Sequence, residues 1–276
     1  MSVPSSSSYL TNLFGLRGKT ALVTGGTRGI GAGFTIALAS AGANIILLQR
    51  SPSSGQDVKD AVEALGRTCD SYACDLVDRK QVTEIVGQIC GKDGREVDIL
   101  VNCGGMTHRS PAEDFPEEKW DEIIQVNLTS SFLLARTLAK HWLMTSLSSQ
   151  PKQQKKIINI ASVLTFTGSV ETPAYVATKG AIGQLTKALS NEWTAKGICV
   201  NAIAPGYIAT DLTERIREMP EYEKAILGRV PAKRWGIPED LAGAIIYLSS
   251  KARFEKSHPC APINVQKPHL TRAKKI

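Results

Sequence analysis

The chain has 276 residues, of which 42% are hydrophobic and 21% charged, a composition that suits one large globular domain. Its net charge of +7 comes almost entirely from residues 251–276, which carry seven Lys or Arg and one Glu, a net of +6. The body of the chain is therefore close to neutral and has no basic stripe typical of nucleic-acid binding. No apolar run approaches the ~18 residues of a membrane-spanning helix.

Apolar, β-branched runs alternate with amphipathic stretches in chain order. The Ser-rich segment 1–14 predicts a disordered lead, and it has no basic region followed by an apolar stretch, so a signal peptide is not expected. Strands are predicted at 20–25, 44–49, 69–74, 97–102, 156–162 and 198–205, and helices at 29–41, 56–65, 78–91, 117–145, 173–195 and 238–250. Such alternation predicts a single α/β domain over 15–250, with a doubly wound parallel sheet of Rossmann type.

The cysteines give no sign of a disulfide framework or a metal site. The six of them stand at positions 69, 74, 90, 103, 199 and 260, and none forms a C-x-x-C pair. This pattern predicts free thiols in a reducing compartment, no bound metal and a cytoplasmic protein.

A glycine-rich turn, TGGTRGIGAG at 24–33, follows the first predicted strand directly. Gly25, Gly29 and Gly31 have the G-x-x-x-G-x-G spacing. Glycine lets the backbone turn tightly and lets a pyrophosphate approach, and the next helix offers free N–H groups to that anion. Because a strand precedes the turn and a helix follows it, the sequence predicts a dinucleotide cradle in preference to a purely structural turn.

The end of the second strand predicts the choice of cofactor. In such folds an acidic residue there binds the 2′-hydroxyl of NAD, whereas a basic one accommodates the 2′-phosphate of NADP. Gln49 stands where a carboxylate is expected, and Arg50 and Ser51 follow it. The sequence therefore favours NADP(H), with NAD(H) as the alternative if Arg50 is only a solvated surface charge.

Polar residues and glycines follow the next two strands. Asp75 comes after the third strand and offers an acceptor for an adenine amino group. Asn102 and Gly104 come after the fourth. These positions lie at the carboxyl ends of strands, where open α/β sheets bind ligands.

A second candidate site lies in the segment TPAYVATKGA, 172–181. Tyr175 and Lys179 are spaced i and i+4 and share one helix face. A free phenol has a pKa of about 10, and a nearby ammonium lowers it, so Tyr175 is predicted to exchange a proton with a carbonyl or alcohol. Ser162 ends the fifth strand and is predicted to hydrogen-bond the substrate oxygen. Asn127 is predicted to hold a water that links Lys179 to solvent. The alternative for the Tyr–Lys pair alone is an ordinary amphipathic helix.

These motifs together resemble the short-chain dehydrogenase/reductases over about residues 15–250: TGGTRGIG, VNCGG, Ser162 followed by YVATK, and PGYIATDL at 205–212. The resemblance implies an NADP(H)-dependent oxidoreductase that interconverts a secondary alcohol and a ketone, with Asn127, Ser162, Tyr175 and Lys179 as its catalytic residues. It also implies further cofactor contacts, from Thr27, Arg28, Ile30, Leu76, Tyr175, Lys179, Pro205, Ile208 and Thr210.

Three longer segments refine the resemblance. INIASVLTF, NEWTAKGICVNAIAPGYIATDLT and RVPAKRWGIPEDL look most like the 2-deoxy-D-gluconate 3-dehydrogenase type within the family. This likeness implies a sugar-acid substrate that contacts Ser162 and Tyr175, with Arg109 as a bidentate partner for its carboxylate. A reductase of small neutral ketones is the alternative.

The C-terminal tail departs from the family, which continues into a last parallel strand after the segment YLSSKA. Residues 251–276 hold three prolines and no glycine. They predict a basic, disordered tail and a missing last strand, which makes a homo-oligomer doubtful. Either the tail leaves a cofactor-binding protein without turnover, or it is a real extension that meets an acidic partner.

Overall fold

The computed structural model describes residues 6–145, 154–252 and 263–264, and its centre is one parallel sheet. The strands run in the order β3-β2-β1-β4-β5-β6-β7. Their bounds are β1 Thr20–Thr24, β2 Asn44–Gln49, β3 Cys69–Ala73, β4 Ile99–Asn102, β5 Lys155–Ile160, β6 Ile198–Ala204 and β7 Ile263–Asn264. The helices are α1 Ser6–Phe14, α2 Gly29–Ser40, α3 Gln56–Ala64, α4 Arg79–Val86, α5 Glu117–Ile124, α6 Ser130–Thr145, α7 Pro173–Trp193, α8 Asp211–Arg217, α9 Pro220–Arg229 and α10 Ala242–Ser249.

The strand order confirms the predicted doubly wound sheet. The chain moves outward from β1 to β3, then returns to the other side of β1 at β4. Ligands bind at such a switch point, outside the carboxyl ends of the strands. The register aligns these ends, because Thr24 lies opposite both Leu48 and Asn102, and Asn102 lies opposite Asn159.

Apolar side chains cover both faces of the sheet. Helices α2 and α10 pack on one face through residues such as Phe34, Leu38 and Ile245. Helices α4, α6 and α7 pack on the other through residues such as Val82 and Leu138. This double covering explains why the central strands read as continuous apolar runs in the sequence.

Both ends of the described chain correct the sequence analysis. Residues 6–14 were expected to be disordered, but they form α1, because Leu10, Leu13 and Phe14 recur at helical spacing. The last strand was expected to be missing, but two residues of the tail, β7, pair in parallel with the end of β6. Pairing of this kind needs only backbone groups, which Ile263 and Asn264 supply. Residues 1–5, 253–262 and 265–276 lie outside the described residues, so the predicted disorder there stays a prediction.

The middle of the chain shows two further differences from the predicted elements. The helix predicted over 117–145 is interrupted by a π-helical turn at Gln125–Thr129. Helices α8 and α9 were not predicted, and neither of them buries any residue. Among the described residues, no helix combines the length and apolar character needed to cross a bilayer.

Candidate active site

The glycine-rich turn forms a tight cradle between β1 and α2. Gly25 has φ +62°, a conformation that side chains other than glycine rarely adopt. A methyl group at Gly31 would lie 1.9 Å from the carbonyl oxygen of Gly25, so the turn closes only because no side chain is present there. Thr27 lies against Gly55, since a Cβ at Gly55 would be 2.5 Å from Thr27 Cγ2. Ile30 packs on the core beneath the turn.

The cradle fits a pyrophosphate. The N-cap of α2 is Arg28, which makes no side-chain capping hydrogen bond. The N–H groups of the first helical turn are therefore left without a capping side chain, at the positive end of the helix dipole. A bound anion would accept hydrogen bonds from these N–H groups. A glycine-rich turn with a purely structural role would have no need to leave them uncapped.

The segment 205–212 lies against this turn, and the nicotinamide contact that the resemblance implies for it stays a prediction. Thr210, the N-cap of α8, lies so near the turn that a Cβ at Gly29 would be 3.1 Å from Thr210 Cγ2. Arg28 Nη1 donates to Asp211 Oδ2 at 3.3 Å across the same gap, in an exposed ion pair. Ile208 is buried, and the Pro205 carbonyl accepts from the Val163 N–H at 2.8 Å, so this segment is also attached to the strand that leads to Ser162.

The turn after β2 is fixed by Gln49. Its Nε2 donates to the carbonyl oxygens of Pro52 and Ser54, at 3.2 and 3.0 Å, and its side chain is buried. Gln49 therefore fixes the backbone of residues 52–54. In a protein that binds NAD, a carboxylate at the position of Gln49 would contact the ribose instead. The following Arg50 and Ser51 are exposed, so the guanidinium is accessible to a ligand phosphate.

Thr24 ties the end of β1 to the loop after β4. Its Oγ1 accepts from the N–H groups of Cys103 and Gly104, at 3.0 and 2.9 Å. Gly104 in turn lies against Leu76, since a Cβ there would be 2.6 Å from Leu76 Cδ1. Asp75 accepts from the neighbouring Val77 N–H at 3.1 Å. The predicted cofactor residues after β1, β3 and β4 therefore lie along one edge.

The side chain of Asn102 points into the protein instead of lying at this edge, and the cofactor contact predicted for this residue stays a prediction. The side chain is 4% exposed, and its Nδ2 donates to Asn159 Oδ1 at 2.9 Å and to the Ser131 carbonyl at 3.2 Å. Asn159 continues the chain of contacts to Thr186 Oγ1 at 3.0 Å. This amide network links β4, β5, α6 and α7 inside the protein. A cofactor contact of Asn102 would therefore have to come from its backbone.

Asn127 lies in the π-helical turn between α5 and α6. Its carboxamide accepts from the Met106 N–H and donates to the Met106 carbonyl, both at 2.9 Å, and it also donates to Thr178 Oγ1 at 3.3 Å. It therefore fixes the loop after β4 against α7. Irregular helical turns of this kind are frequent at functional sites.

Ser162, Tyr175 and Lys179 come together at the carboxyl end of β5. The Ser162 hydroxyl accepts from the Leu164 N–H at 3.1 Å and lies near enough to the Tyr175 phenol to lower its pKa. The Lys179 Nζ lies 5.4 Å from the Tyr175 ring centroid and donates to the Ile160 carbonyl at 2.6 Å. Thr165 joins the two elements, because its Oγ1 donates to the Lys179 carbonyl at 2.8 Å.

Burial dominates the protonation of this group. It raises the pKa of Tyr175 to about 12, although the hydrogen bond from Ser162 lowers it. Burial also lowers the pKa of Lys179 to about 8. In the protein by itself, desolvation therefore outweighs the lowering of the phenol pKa that the sequence argument assigned to the ammonium.

Arg109 lies in the loop after β4, and it already has a partner of opposite charge. Its Nη1 donates to Glu171 Oε2 at 3.1 Å. The Ser110 N–H also donates to the Glu171 carbonyl at 3.0 Å, so the two loops are joined twice. The sequence analysis missed Glu171, because one acidic residue in a loop before a helix carries no distinguishing pattern.

Thr24 and Asn159 were also missed. Their signal in the sequence is a polar side chain within an otherwise apolar strand, at or near its carboxyl end. Cys69, Cys74, Cys90 and Cys103 are free thiols, as predicted. In the part of the chain that the structure describes, no group of three or more His, Cys, Asp or Glu could hold a metal ion.

A glycine-rich turn that fits a pyrophosphate, beside a buried Tyr–Lys pair, is an arrangement expected of an oxidoreductase that uses a nicotinamide cofactor. The model of the short chain dehydrogenase family matches residues 19–221. The chain belongs to this family, as the sequence motifs indicated, and is an enzyme that acts on CH–OH groups.

Individual relatives are similar over most of the chain. A 2-dehydro-3-deoxy-D-gluconate 5-dehydrogenase of Pseudoalteromonas atlantica is 48% identical over 240 residues, which cover 87% of this chain and 91% of that protein. An enzyme of the same name from Bacillus subtilis is 44% identical over 244 residues, 88% of this chain and 92% of that protein. The structure of a gluconate 5-dehydrogenase from Burkholderia cenocepacia, in complex with NADP and tartrate, has a TM-score of 0.81 at 33% identity, and covers 88% of this chain and 92% of that chain.

Proposed function

We propose that this chain is an NADP(H)-dependent dehydrogenase that interconverts a secondary alcohol and a ketone of a sugar acid. The observation that carries the proposal is the position of Tyr175, whose ring lies 5.4 Å from Lys179 Nζ and whose phenol pKa is lowered by the nearby Ser162. The bound cofactor supplies or accepts the hydride. Proton transfer, charge stabilisation and substrate binding are assigned to side chains of this protein.

Tyr175 is the general acid and base. In reduction its phenol donates a proton to the substrate oxygen, and in oxidation the phenolate takes that proton back. Ser162 lies near the same phenol, so both groups are assigned to the substrate oxygen, where they stabilise the charge that develops. The Lys179 ammonium stabilises the phenolate, and its bond to the Ile160 carbonyl fixes its position.

The cradle residues Gly25, Gly29 and Gly31 and the amides at the start of α2 are assigned to the pyrophosphate. Arg50 and Ser51 are assigned to the 2′-phosphate, because both are exposed beyond the turn that Gln49 fixes. Support for NADP comes from the relative that was solved with this cofactor. A carboxylate at position 49 would have favoured NAD instead.

The substrate class rests on the relatives and on Arg109. The similar enzymes are named for gluconate and for 2-dehydro-3-deoxy-D-gluconate, both of which carry a carboxylate. Arg109 lies three residues after Met106, which Asn127 holds against α7, and its side chain is 27% exposed. A guanidinium in this position would orient a carboxylated substrate with its reacting carbon towards Tyr175.

The experiment that tests the chemistry is Tyr175→Phe, assayed with NADPH and a panel of keto sugar acids. Turnover should fall by about 10²-fold or more, because the proton donor is lost, while the affinity for NADPH stays within about twofold. Tyr9→Phe, on the exposed face of α1, is the matched control and should keep full activity. Substantial turnover by Tyr175→Phe would rule out Tyr175 as the acid.

A thermal melt tests the cofactor. A ligand that binds only the native state at 100 times its Kd stabilises that state by about 2.7 kcal/mol, which shifts the midpoint by roughly 5–10 °C in a protein of this size. NADPH should raise the melting midpoint more than NADH does. In Arg50→Ala the two cofactors should raise the midpoint equally, by the amount that NADH gives in the unmodified protein. A larger shift with NADH would instead assign the enzyme to NAD. Binding of NADPH without turnover of any ketone would favour an inactive cofactor-binding protein.

A further inference from the structure

The ion pair between Arg109 and Glu171 joins two loops at the rim of the active site. Glu171 lies four residues before Tyr175, in the loop that leads into α7. Arg109 lies in the loop that Asn127 holds through Met106. The pair is formed by one contact of 3.1 Å from Arg109 Nη1 to Glu171 Oε2, and the two side chains are 27% and 41% exposed. Both charges can therefore be reached by a substrate.

The backbone of Glu171 has an unusual conformation. Its φ is +61°, in the left-handed region that a glutamate rarely occupies. The Ser110 N–H holds the Glu171 carbonyl at 3.0 Å, which keeps the residue in place. Residues held in sparsely populated backbone regions cluster at functional sites, where the surrounding structure maintains them.

We infer that Glu171 is a built-in competitor for the substrate carboxylate and sets how strongly Arg109 selects acidic substrates. This inference rests on the proposed function, in which Arg109 binds that carboxylate. With Glu171 in contact, the guanidinium charge is already balanced. An incoming carboxylate must displace Glu171 from Arg109 or share the guanidinium with a like charge, and either event reduces its affinity.

The size of the effect follows from the exposure of the pair. Ion pairs between exposed side chains contribute little, and the free energy recovered on removing this competitor corresponds to a change of about two- to fivefold in affinity. Glu171→Gln removes the charge and keeps the shape. It should lower the KM for a keto sugar acid by that factor, leave kcat nearly unchanged, and leave the KM for a neutral ketone as it was.

The test is a double-mutant cycle. It compares four proteins: the unmodified chain, Glu171→Gln, Arg109→Gln and the variant that carries both substitutions. Each is assayed with a keto sugar acid and with the neutral methyl ester of the same compound. Binding of gluconate to the NADPH-saturated proteins, measured by calorimetry, gives the same comparison without turnover. We expect Glu171→Gln to increase the affinity for the acid when Arg109 is present, and to have no such effect in the Arg109→Gln protein. In the protein that keeps Arg109, the increase should become smaller at high salt.

The two proposals fail in different ways. If Arg109→Gln leaves the preference for the acid over the ester unchanged, the carboxylate site is wrong, and the role of Glu171 falls with it. If Arg109→Gln abolishes the preference but Glu171→Gln leaves it unchanged or weakens it, only the competition is refuted. Glu171→Asn is the second variant, because asparagine tolerates a left-handed backbone and also removes the charge, so it should act in the same direction.

Discussion

An alanine at position 31 would place a methyl group inside the turn of the glycine cradle. The Cβ would lie 1.9 Å from the Gly25 carbonyl oxygen and 3.1 Å from the Gly26 Cα, and both neighbours are backbone atoms that cannot rotate away. The loop would have to open by about 1 Å or more to restore ordinary contact. Overpacking of this kind costs about 1–3 kcal/mol, and every 1.4 kcal/mol is a tenfold change in affinity. We therefore expect Gly31→Ala to raise the Kd for NADPH by about 10- to 100-fold.

The assay is a fluorescence titration of NADPH against each purified protein, with a thermal melt to establish that the variant folds. Gly243→Ala is the matched control. It makes the same substitution at an exposed position of helix α10, where a Cβ meets nothing within 4 Å, so affinity should be unchanged and stability slightly higher. A folded Gly31→Ala protein that binds NADPH within twofold of the unmodified chain would show that this turn does not hold the cofactor.

Two further predictions concern buried groups, one at the amino end of β4 and one at the carboxyl end of β1. Asp98 is buried between Lys19 and Lys155, at 3.1 and 2.8 Å. Burial raises the pKa of its carboxyl, but the hydrogen bond and charge of Lys155 and the charge of Lys19 outweigh this and hold the pKa below its usual value. Asp98 therefore contributes stability that is fully present above pH ~4 and is lost as the pH falls through the lower folded pKa. Asp98→Asn should cost about 1–3 kcal/mol in urea unfolding at pH 7, and this cost should shrink towards pH 2; a cost independent of pH would contradict the assignment. Thr24→Val would leave the two amides that follow β4 without their acceptor, so unfolding should be easier by about 1–3 kcal/mol and NADPH should bind more weakly. Unchanged affinity for NADPH would show that Thr24 does not position this edge.

The strands and the cradle could be predicted because local chemistry determines them. The runs of β-branched and aliphatic residues that form β1, β2 and β6 are buried on both faces of the sheet. The glycines of the turn could be recognised from the sequence, since only glycine permits the close backbone contact at Gly31. Tyr175 and Lys179 could be paired by spacing alone, because α7 continues unbroken through both.

Other features depend on contacts between distant segments, which no local pattern records. The carboxamide of Asn102 looked like a ligand because it ends a strand, but register places Asn159 opposite it, and the two amides bond to each other. Glu171 and Arg109 are 62 residues apart in the chain, and only the folded loops bring them together. The π-helical turn at Asn127 was likewise hidden inside an apparently continuous helical pattern.

The protonation of the active site was the least predictable feature, because it depends on burial. In reduction, Tyr175 must carry a proton, and a pKa of about 12 ensures this across the whole practical pH range. Lys179 is the group that changes, since its pKa is about 8. Above that pH it loses the charge that stabilises the phenolate left behind after proton donation. The kcat/KM for ketone reduction should therefore fall above pH ~8, by up to about tenfold per pH unit.

Lys179→Arg separates this explanation from titration elsewhere. An arginine keeps its charge across the range, so the activity that this variant retains should show no fall near pH 8, whereas Lys187→Arg in the same helix should keep the fall. A profile of the unmodified enzyme that stays flat to pH 10 would mean that the bound cofactor, with its anionic phosphates, holds Lys179 protonated in the reacting complex. The same fall in Lys179→Arg would assign the titration to another group. Lys179 stabilises the phenolate only while its amine is protonated. The pH at which activity falls therefore reports the pKa of Lys179, which burial lowers.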